Sequence, residues 1–277
     1  MRAHPWNTDF TWTSAEADAP SFLSPAQVEQ FDRDGFVVVP DIIDAETLAE
    51  LRAELDTDEA RADELLRQMP DQRLSIAESG AITFSPHVVK RSGVARRFAH
   101  HPALVGIVGD LVGPDARLYW DQLVYKKPDK PREFPWHQDN GYTYVEPQQY
   151  LTCWVPLIDA TIANGCPWVV PGAHRHGTLH HEWNEPLGFE CIDEPVDAVA
   201  VEVAAGGVAV FSSLTPHKTG PNTTDSVRKT YILQYAPDGS VVCSGDPAAG
   251  PPSERVAADA PDRQFVVLVG GQPVTHE

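Results

Sequence analysis

The chain has 277 residues, 42% of them hydrophobic, and a formal net charge of −19. A field of that sign repels nucleic acid and anionic membrane surfaces, and no apolar run has the length that spanning a bilayer requires, so neither partner is expected. Cys153, Cys166, Cys191 and Cys243 are widely spaced and form no CxxC pair, and the polar N-terminus has no apolar signal core, which together suggest a cytoplasmic protein with free thiols.

Residues 1–20, with scattered aromatics Trp6, Phe10 and Trp12, read as an irregular arm that packs its tryptophans onto the body. Ser24-Pro25-Ala-Gln27 has the form of a helix start, with a capping serine, a first-turn proline and a glutamine to close the capping box. Gly35 ends that helix, and Phe36–Val39 follows as a buried strand stopped by Pro40. Asp44 caps a second helix in which Leu48, Leu51 and Leu55 recur at helical spacing, with the pattern running on to about Met69. The acidic run Asp56 to Glu64 reads as a solvated face of that helix. Ala81 to Phe84 suggests a short strand, and Val94–Phe98 and Pro102–Val112 suggest further helices.

From residue 116 the periodicity changes from 3.6 to two. Arg117 to Lys127 is a long strand, with Leu118, Trp120, Gln122 and Val124 on one face and Tyr119, Asp121, Leu123 and Tyr125 on the other. Lys126 and Lys127 read as solvated lysines at its end. Shorter strands follow at 150–157, 168–170, 198–203, 208–211, 227–235 and 264–269, separated by Gly, Pro, Asn and Asp. Many short strands with such punctuation form a sandwich or barrel. The expected organisation is one domain over residues 1–277: an arm (1–20), a largely helical outer layer (21–115), a β core (116–240) and a C-terminal extension (241–277).

The only His-x-Asp in the chain is His137-Gln-Asp139. On a strand these two side chains point to one face, where an imidazole and a carboxylate supply two ligands of a divalent metal. Taken alone, the pair reads more plainly as a surface histidine beside a turn aspartate. His217, which follows the apolar run 208–211 and a short turn, is a candidate third ligand. Two histidines and a carboxylate with open positions are the pattern of non-haem Fe(II) oxygenases. Arg228 then shares a strand face with Thr230 and Ile232. An arginine directed into a barrel requires an anion, either an internal Asp or Glu or a bound carboxylate held by two parallel hydrogen bonds.

His137-Gln-Asp139, Asn164-Gly-Cys-Pro-Trp-Val-Val-Pro-Gly-Ala-His-Arg175, His217-x-Thr219 and Arg228, in that order, resemble the phytanoyl-CoA dioxygenase family of Fe(II)/2-oxoglutarate dioxygenases. Asp34-Gly-Phe-Val-Val-Val-Pro40 resembles the start of that family's domain, and the similarity covers roughly residues 25–240. The resemblance implies a mainly β fold with N-terminal helices, built on a double-stranded β-helix (jelly-roll, cupin-like) core. It implies His137, Asp139 and His217 as iron ligands, with Arg228 pairing the distal carboxylate of 2-oxoglutarate, Thr219 hydrogen-bonding it, and Gln122 and Trp154 lining the cosubstrate pocket. The keto acid would take two of the positions left on iron and dioxygen the last, giving succinate and carbon dioxide as the substrate is oxidised. Halogenating relatives lack the carboxylate ligand, so Asp139 argues against halogenation.

His174 reads as structural. His176, His180 and His181 read as loop residues, with His176, Asn140 and Tyr142 as candidate substrate contacts. The segment between His174 and Val196, with Trp183 and Phe189, is the expected lid. The function so read is hydroxylation of a small molecule of specialised metabolism, with desaturation, cyclisation or epimerisation as other outcomes of the same chemistry. A metal-dependent isomerase or epimerase on a cupin-like barrel, and a non-catalytic binding module, are the competing classes; Arg228 eleven residues after His217 argues against the first, and the complete metal constellation against the second. The sequence sets no oligomeric state.

Overall fold

The first helix forms where its signals place it. The computed structural model describes residues 1–14 and 20–274, so residues 15–19 of the expected arm and residues 275–277 lie outside the described residues. Ser24 and Gln27 close a capping box on helix Pro25–Asp34, and Gly35 ends it at φ 79°. A side chain at Gly35 would place its Cβ 2.4 Å from the His174 ring, which explains glycine there twice over. Helix Ala45–Gln68 starts at the Asp44 cap and buries Leu48, Leu51 and Leu55. Helices Gly93–Phe98 and Pro102–Leu111 complete the layer.

Two antiparallel sheets face each other. The larger runs in the order Phe36–Val39, Val208–Ser212, Leu151–Pro156, Arg228–Pro237, Ala116–Lys126, Ile82–Pro86. The smaller runs Val199–Ala200, Pro167–Val169, His217–Thr219, Phe134–His137. This is a double-stranded β-helix with helices against the outer face of the larger sheet. Leu51, Leu55, Leu104 and Ile107 from the helices join Leu123, Val155, Val210 and Leu233 from that face in one buried cluster. Residues 21–115 supply more than a helical cover, because they also extend the larger sheet at both edges. The C-terminal stretch adds Val266–Val269 beside Ala116 and Arg117.

Three expectations change. The alternation along Ala116–Lys126 breaks at Tyr119. Gln234 pairs with Trp120 and Tyr235 with Leu118, so Tyr119 is the extra residue of a β-bulge. Leu118 therefore joins the helix-facing cluster with Leu123 and Tyr125, rather than the face of Gln122 and Val124. The acidic run is not simply solvated. Asp58 and Asp63 are buried; Asp58 accepts from Arg91 and Ser85, and Asp63 pairs with Lys127 and Ser79. The run is the seam along which helix Ala45–Gln68 docks on the sheet edge. Nor are the lysines free. Lys127 bridges Glu59 and Asp63, and Lys126 is 1% exposed. The Lys126 ammonium donates to the carbonyls of Arg132, Thr219 and Gly220.

The arm does pack as expected. Trp6 donates to the Gly250 carbonyl at 2.7 Å, and Trp12 to Asp32 at 2.6 Å.

Candidate active site

His137 and His217 face each other across the smaller sheet, as register partners on adjacent strands. Their ring centroids are 4.1 Å apart. Asp139 begins the short helical turn Asp139–Tyr142 directly after the His137 strand. Each of the three residues offers one ligand atom within 4.8 Å of the others. Backbone carbonyls set the histidine tautomers. His137 Nδ1 lies 2.8 Å from the Pro135 oxygen and His217 Nδ1 3.0 Å from the Thr215 oxygen. An acceptor there demands N–H at Nδ1, leaving each Nε2 lone pair for a metal. Burial, and then the neighbouring His217, hold His137 well below the usual imidazole range. Thr152, on the larger sheet, donates its hydroxyl to Asp139 Oδ2. The other carboxylate oxygen, Oδ1, is 3.9 Å from His217 Nε2. Two imidazoles that present Nε2 and an oriented carboxylate fit a divalent first-row metal with open positions.

Behind this triad lies an inner chamber of about 50 Å³, and Arg228 forms part of its wall. Arg228 is 1% exposed, and its Nε, Nη1 and Nη2 all lack a hydrogen-bond partner. Its guanidinium sits 5.3 Å from the Trp154 ring. Burial lowers its pKa to about 9. Of the two alternatives, the internal Asp or Glu partner is not found among the described residues. A buried planar cation with every donor unsatisfied fits a carboxylate ligand. Thr219, Gln122 and Trp154 line the same chamber. Lys126 lies directly across from Arg228 in register. Burial foremost, then Arg228, pushes the Lys126 pKa well down.

An outer chamber of about 200 Å³ opens from the same centre, sharing Phe84, Gln122, Phe134, His137 and Asp139 with the inner one. Tyr142 lines it, with its ring 5.3 Å from that of His137, and its hydroxyl accepts from the Phe189 N–H at 3.0 Å. Phe189 in turn packs on Trp183, so the hairpin Glu182–Asn184/Gly188–Glu190 leans on Tyr142 through aromatic edges.

Two candidate substrate contacts are placed elsewhere. Asn140 is 0% exposed and lines neither chamber. Its amide spans Thr178 Oγ1 at 2.7 Å and the Val145 N–H at 2.9 Å, bracing the turn after the metal motif. His176 is exposed on the turn Ala173–His176, and its carbonyl accepts from Asn7.

Several residues that matter here carry no signal of their own in the sequence. The Gln138 N–H, between the two ligands of the motif, donates to His181 Nε2 at 2.9 Å, and His181 Nδ1 faces the Leu179 carbonyl at 2.9 Å. The Gln138 amide donates to the carbonyls of Gly177 and Leu214 and accepts from the Leu179 N–H. Gly141 makes room for the His181 ring, since a Cβ would lie 2.0 Å from it. The arm crosses this same loop, with Ala3 bridging to Leu179. Only Lys126 was within reach of sequence reasoning, because period two from Gln122 and Val124 puts it on the inward face.

The chain matches the model of the family described as phytanoyl-CoA dioxygenase (PhyH) over residues 31–230. A probable phytanoyl-CoA dioxygenase of Caenorhabditis elegans is 27% identical over 241 residues, spanning 79% of this chain and 77% of the relative. The solved structure of EctD from S. alaskensis, with 2-oxoglutarate and 5-hydroxyectoine, aligns with a TM-score of 0.62 at 26% identity, over 86% of this chain and 82% of its own. The epimerase SnoN, solved with Fe3+, alpha ketoglutarate and a nogalamycin, shares the fold with a TM-score of 0.66 at 23% identity, over 87% of this chain and 97% of its own. With a family match over most of its length and a His-Asp-His centre lining the same chamber as an unpaired buried arginine, the chain belongs to the phytanoyl-CoA dioxygenase family and is an Fe(II)- and 2-oxoglutarate-dependent dioxygenase.

Proposed function

We propose that this enzyme hydroxylates a small molecule of specialised metabolism, with residues 1–277 acting as one catalytic unit. His137, Asp139 and His217 hold Fe(II). Arg228 grips the distal carboxylate of 2-oxoglutarate, Thr219 adds a hydrogen bond, and Trp154 and Gln122 shape the chamber around it. When bound, iron with 2-oxoglutarate and dioxygen supplies the oxidising power, with succinate and carbon dioxide as coproducts. The chain's own part is geometry. Thr152 fixes one oxygen of Asp139 and leaves the other for the metal. Phe211, Val124 and Ile232 keep the inner chamber apolar around its one guanidinium. The observation that carries this reading is Arg228, fully buried with three unpaired nitrogens in the chamber that the triad also lines.

An isomerase that needs no keto acid has no use for that cation. Desaturation, cyclisation and epimerisation use the same centre, and the position of the substrate's C–H bond decides among them. No helix of the described residues is long and apolar enough to cross a membrane, and we place the enzyme in the cytoplasm. The test is anaerobic: protein with Fe(II) and 2-oxoglutarate should develop the visible metal-to-ligand charge-transfer band. Loss of the band in Arg228→Ala and His217→Ala supports the assignment. A folded, iron-loaded wild-type protein without the band overturns it.

A further inference from the structure

The outer chamber's walls select for charge and shape. We propose that Gln234 and Tyr150 read an uncharged, ring-containing oxygenated substrate, and that acyl-CoA thioesters and zwitterionic or anionic molecules are rejected. The inference rests on the proposed oxygenase function and deepens it.

Aromatic rings dominate the chamber: Tyr119, Trp120, Phe134, Tyr142 and Tyr150 all line it. The β-bulge at Tyr119 is what turns both Tyr119 and Trp120 toward this space, instead of on opposite faces of their strand. Flat apolar walls of this kind hold a ring by face and edge contacts.

The polar groups are all neutral apart from the metal centre. Asp139 is the sole carboxylate among the described residues lining the chamber, and no lysine or arginine lines it. Arg263, outside the chamber lining, donates to the His87 ring at 3.3 Å. Lys126 and Arg228 belong to the inner chamber. A phosphate or carboxylate entering here would be desolvated without a cationic partner, which costs several kcal/mol. A volume of about 200 Å³ is also below the range of roughly 300–1,000 Å³ usual for drug-sized ligands, so the reacting end is one small ring system.

Two groups in this space await a partner. Gln234 is 6% exposed and Tyr150 3%. Neither the Gln234 amide nor the Tyr150 hydroxyl has a hydrogen-bond partner among the described residues, and both line the chamber. An amide offers a donor and an acceptor, and a phenol offers the same. Keto and hydroxyl oxygens on the substrate satisfy both. Sites built around such groups discriminate strongly, because a ligand lacking the matching oxygen leaves them buried and unpaired.

The experiment uses the full chain loaded anaerobically with Fe(II) and 2-oxoglutarate. Four probes are titrated by calorimetry, with the charge-transfer band recorded in parallel: coumarin (neutral), naphthoate (anion), naphthylmethylammonium (cation) and benzoyl-CoA. Coumarin should bind at least tenfold more tightly than each of the other three and shift the band. Gln234→Met, of matched length, and Tyr150→Phe should each weaken coumarin about 3- to 10-fold, the loss of one hydrogen bond, while the band itself persists and reports an intact centre. Tighter binding of naphthoate or benzoyl-CoA, no binding of coumarin at millimolar concentration, or wild-type coumarin affinity in both variants overturns the proposal. Absence of the band in the wild-type protein would instead sink the oxygenase reading on which it rests.

Discussion

Arg228→Met should move stability and cosubstrate binding in opposite directions. Burial lowers the guanidinium pKa from its ordinary value to about 9, which corresponds to roughly 5 kcal/mol of disfavoured charge. The sign is that of a cation whose folded pKa lies below its unfolded value. The penalty is complete below about pH 9 and fades as the pH rises from there toward the ordinary guanidinium pKa. The Trp154 ring 5.3 Å away offsets part of it. Exchanging uncompensated buried charge for an apolar side chain gains about 1–4 kcal/mol in comparable cases, and each kcal/mol raises the melting temperature by about 2–4 °C in a domain of this size. Without metal and 2-oxoglutarate, at pH 7, Arg228→Met should therefore melt about 2–16 °C above wild type by calorimetry. The same change removes two charge-assisted hydrogen bonds to the keto acid, each worth about 1.5–3 kcal/mol. Anaerobic titration of the charge-transfer band should show 2-oxoglutarate affinity falling about a hundredfold or more. A variant that is less stable than wild type yet binds 2-oxoglutarate normally would make Arg228 a structural residue and refute the reasoning.

Thr152→Val removes the hydroxyl that holds Asp139 Oδ2, and iron affinity, read from Fe(II) titration of the same band, should fall about 10- to 100-fold with the fold intact by circular dichroism. Gly141→Ala drives a methyl into the His181 ring and should loosen the Gln138 loop, with a loss of iron affinity of similar size; retention of wild-type affinity would show that His181 does not position the motif. Asp58→Asn breaks the contact with Arg91 and Ser85 and should cost about 1.5–3 kcal/mol at pH 7, measured by urea unfolding. Burial opposes ionisation of Asp58, yet hydrogen bonds from Arg91 and Ser85 and the charge of Arg91 hold its pKa below 3.8. A carboxyl depressed on folding stabilises above its unfolded pKa and loses that contribution as the pH falls through the folded one. Wild type and Asp58→Asn should thus converge in stability as the pH drops below 3.8.

The helices were legible because their signals are local. Ser24, Gln27, Gly35 and Asp44 act on backbone groups within one turn, so neighbours in sequence suffice. The long strands were legible as elements with ends shifted by a residue or two, as at Ala116–Lys126 against 117–127, but 198–203 shrinks to Val199–Ala200, and the short strands Phe134–His137 and His217–Thr219 were not among the expected ones. What local patterning missed is what depends on a partner strand. The bulge at Tyr119 exists because of how the strand registers with Arg228–Pro237, and it reverses the face of Leu118. The acidic run of helix Ala45–Gln68 looked solvated because its cations, Arg91, Lys127 and Lys229, are remote in sequence.

By itself the sequence determined the chemistry class of this protein. Residue types at a metal centre are dictated by the ligand atoms the metal needs, and His137, Asp139, His217 and Arg228 carry those atoms in an order that resembles one family. Only the tertiary structure decided which groups are left unpaired. The cross-strand register puts Arg228 beside Lys126, with no hydrogen-bond partner for its guanidinium among the described residues, and Gln234 and Tyr150 line an aromatic chamber that holds no Lys or Arg. An unsatisfied group is a property of everything around it, and for these residues what surrounds them is assembled from strands far apart in the chain.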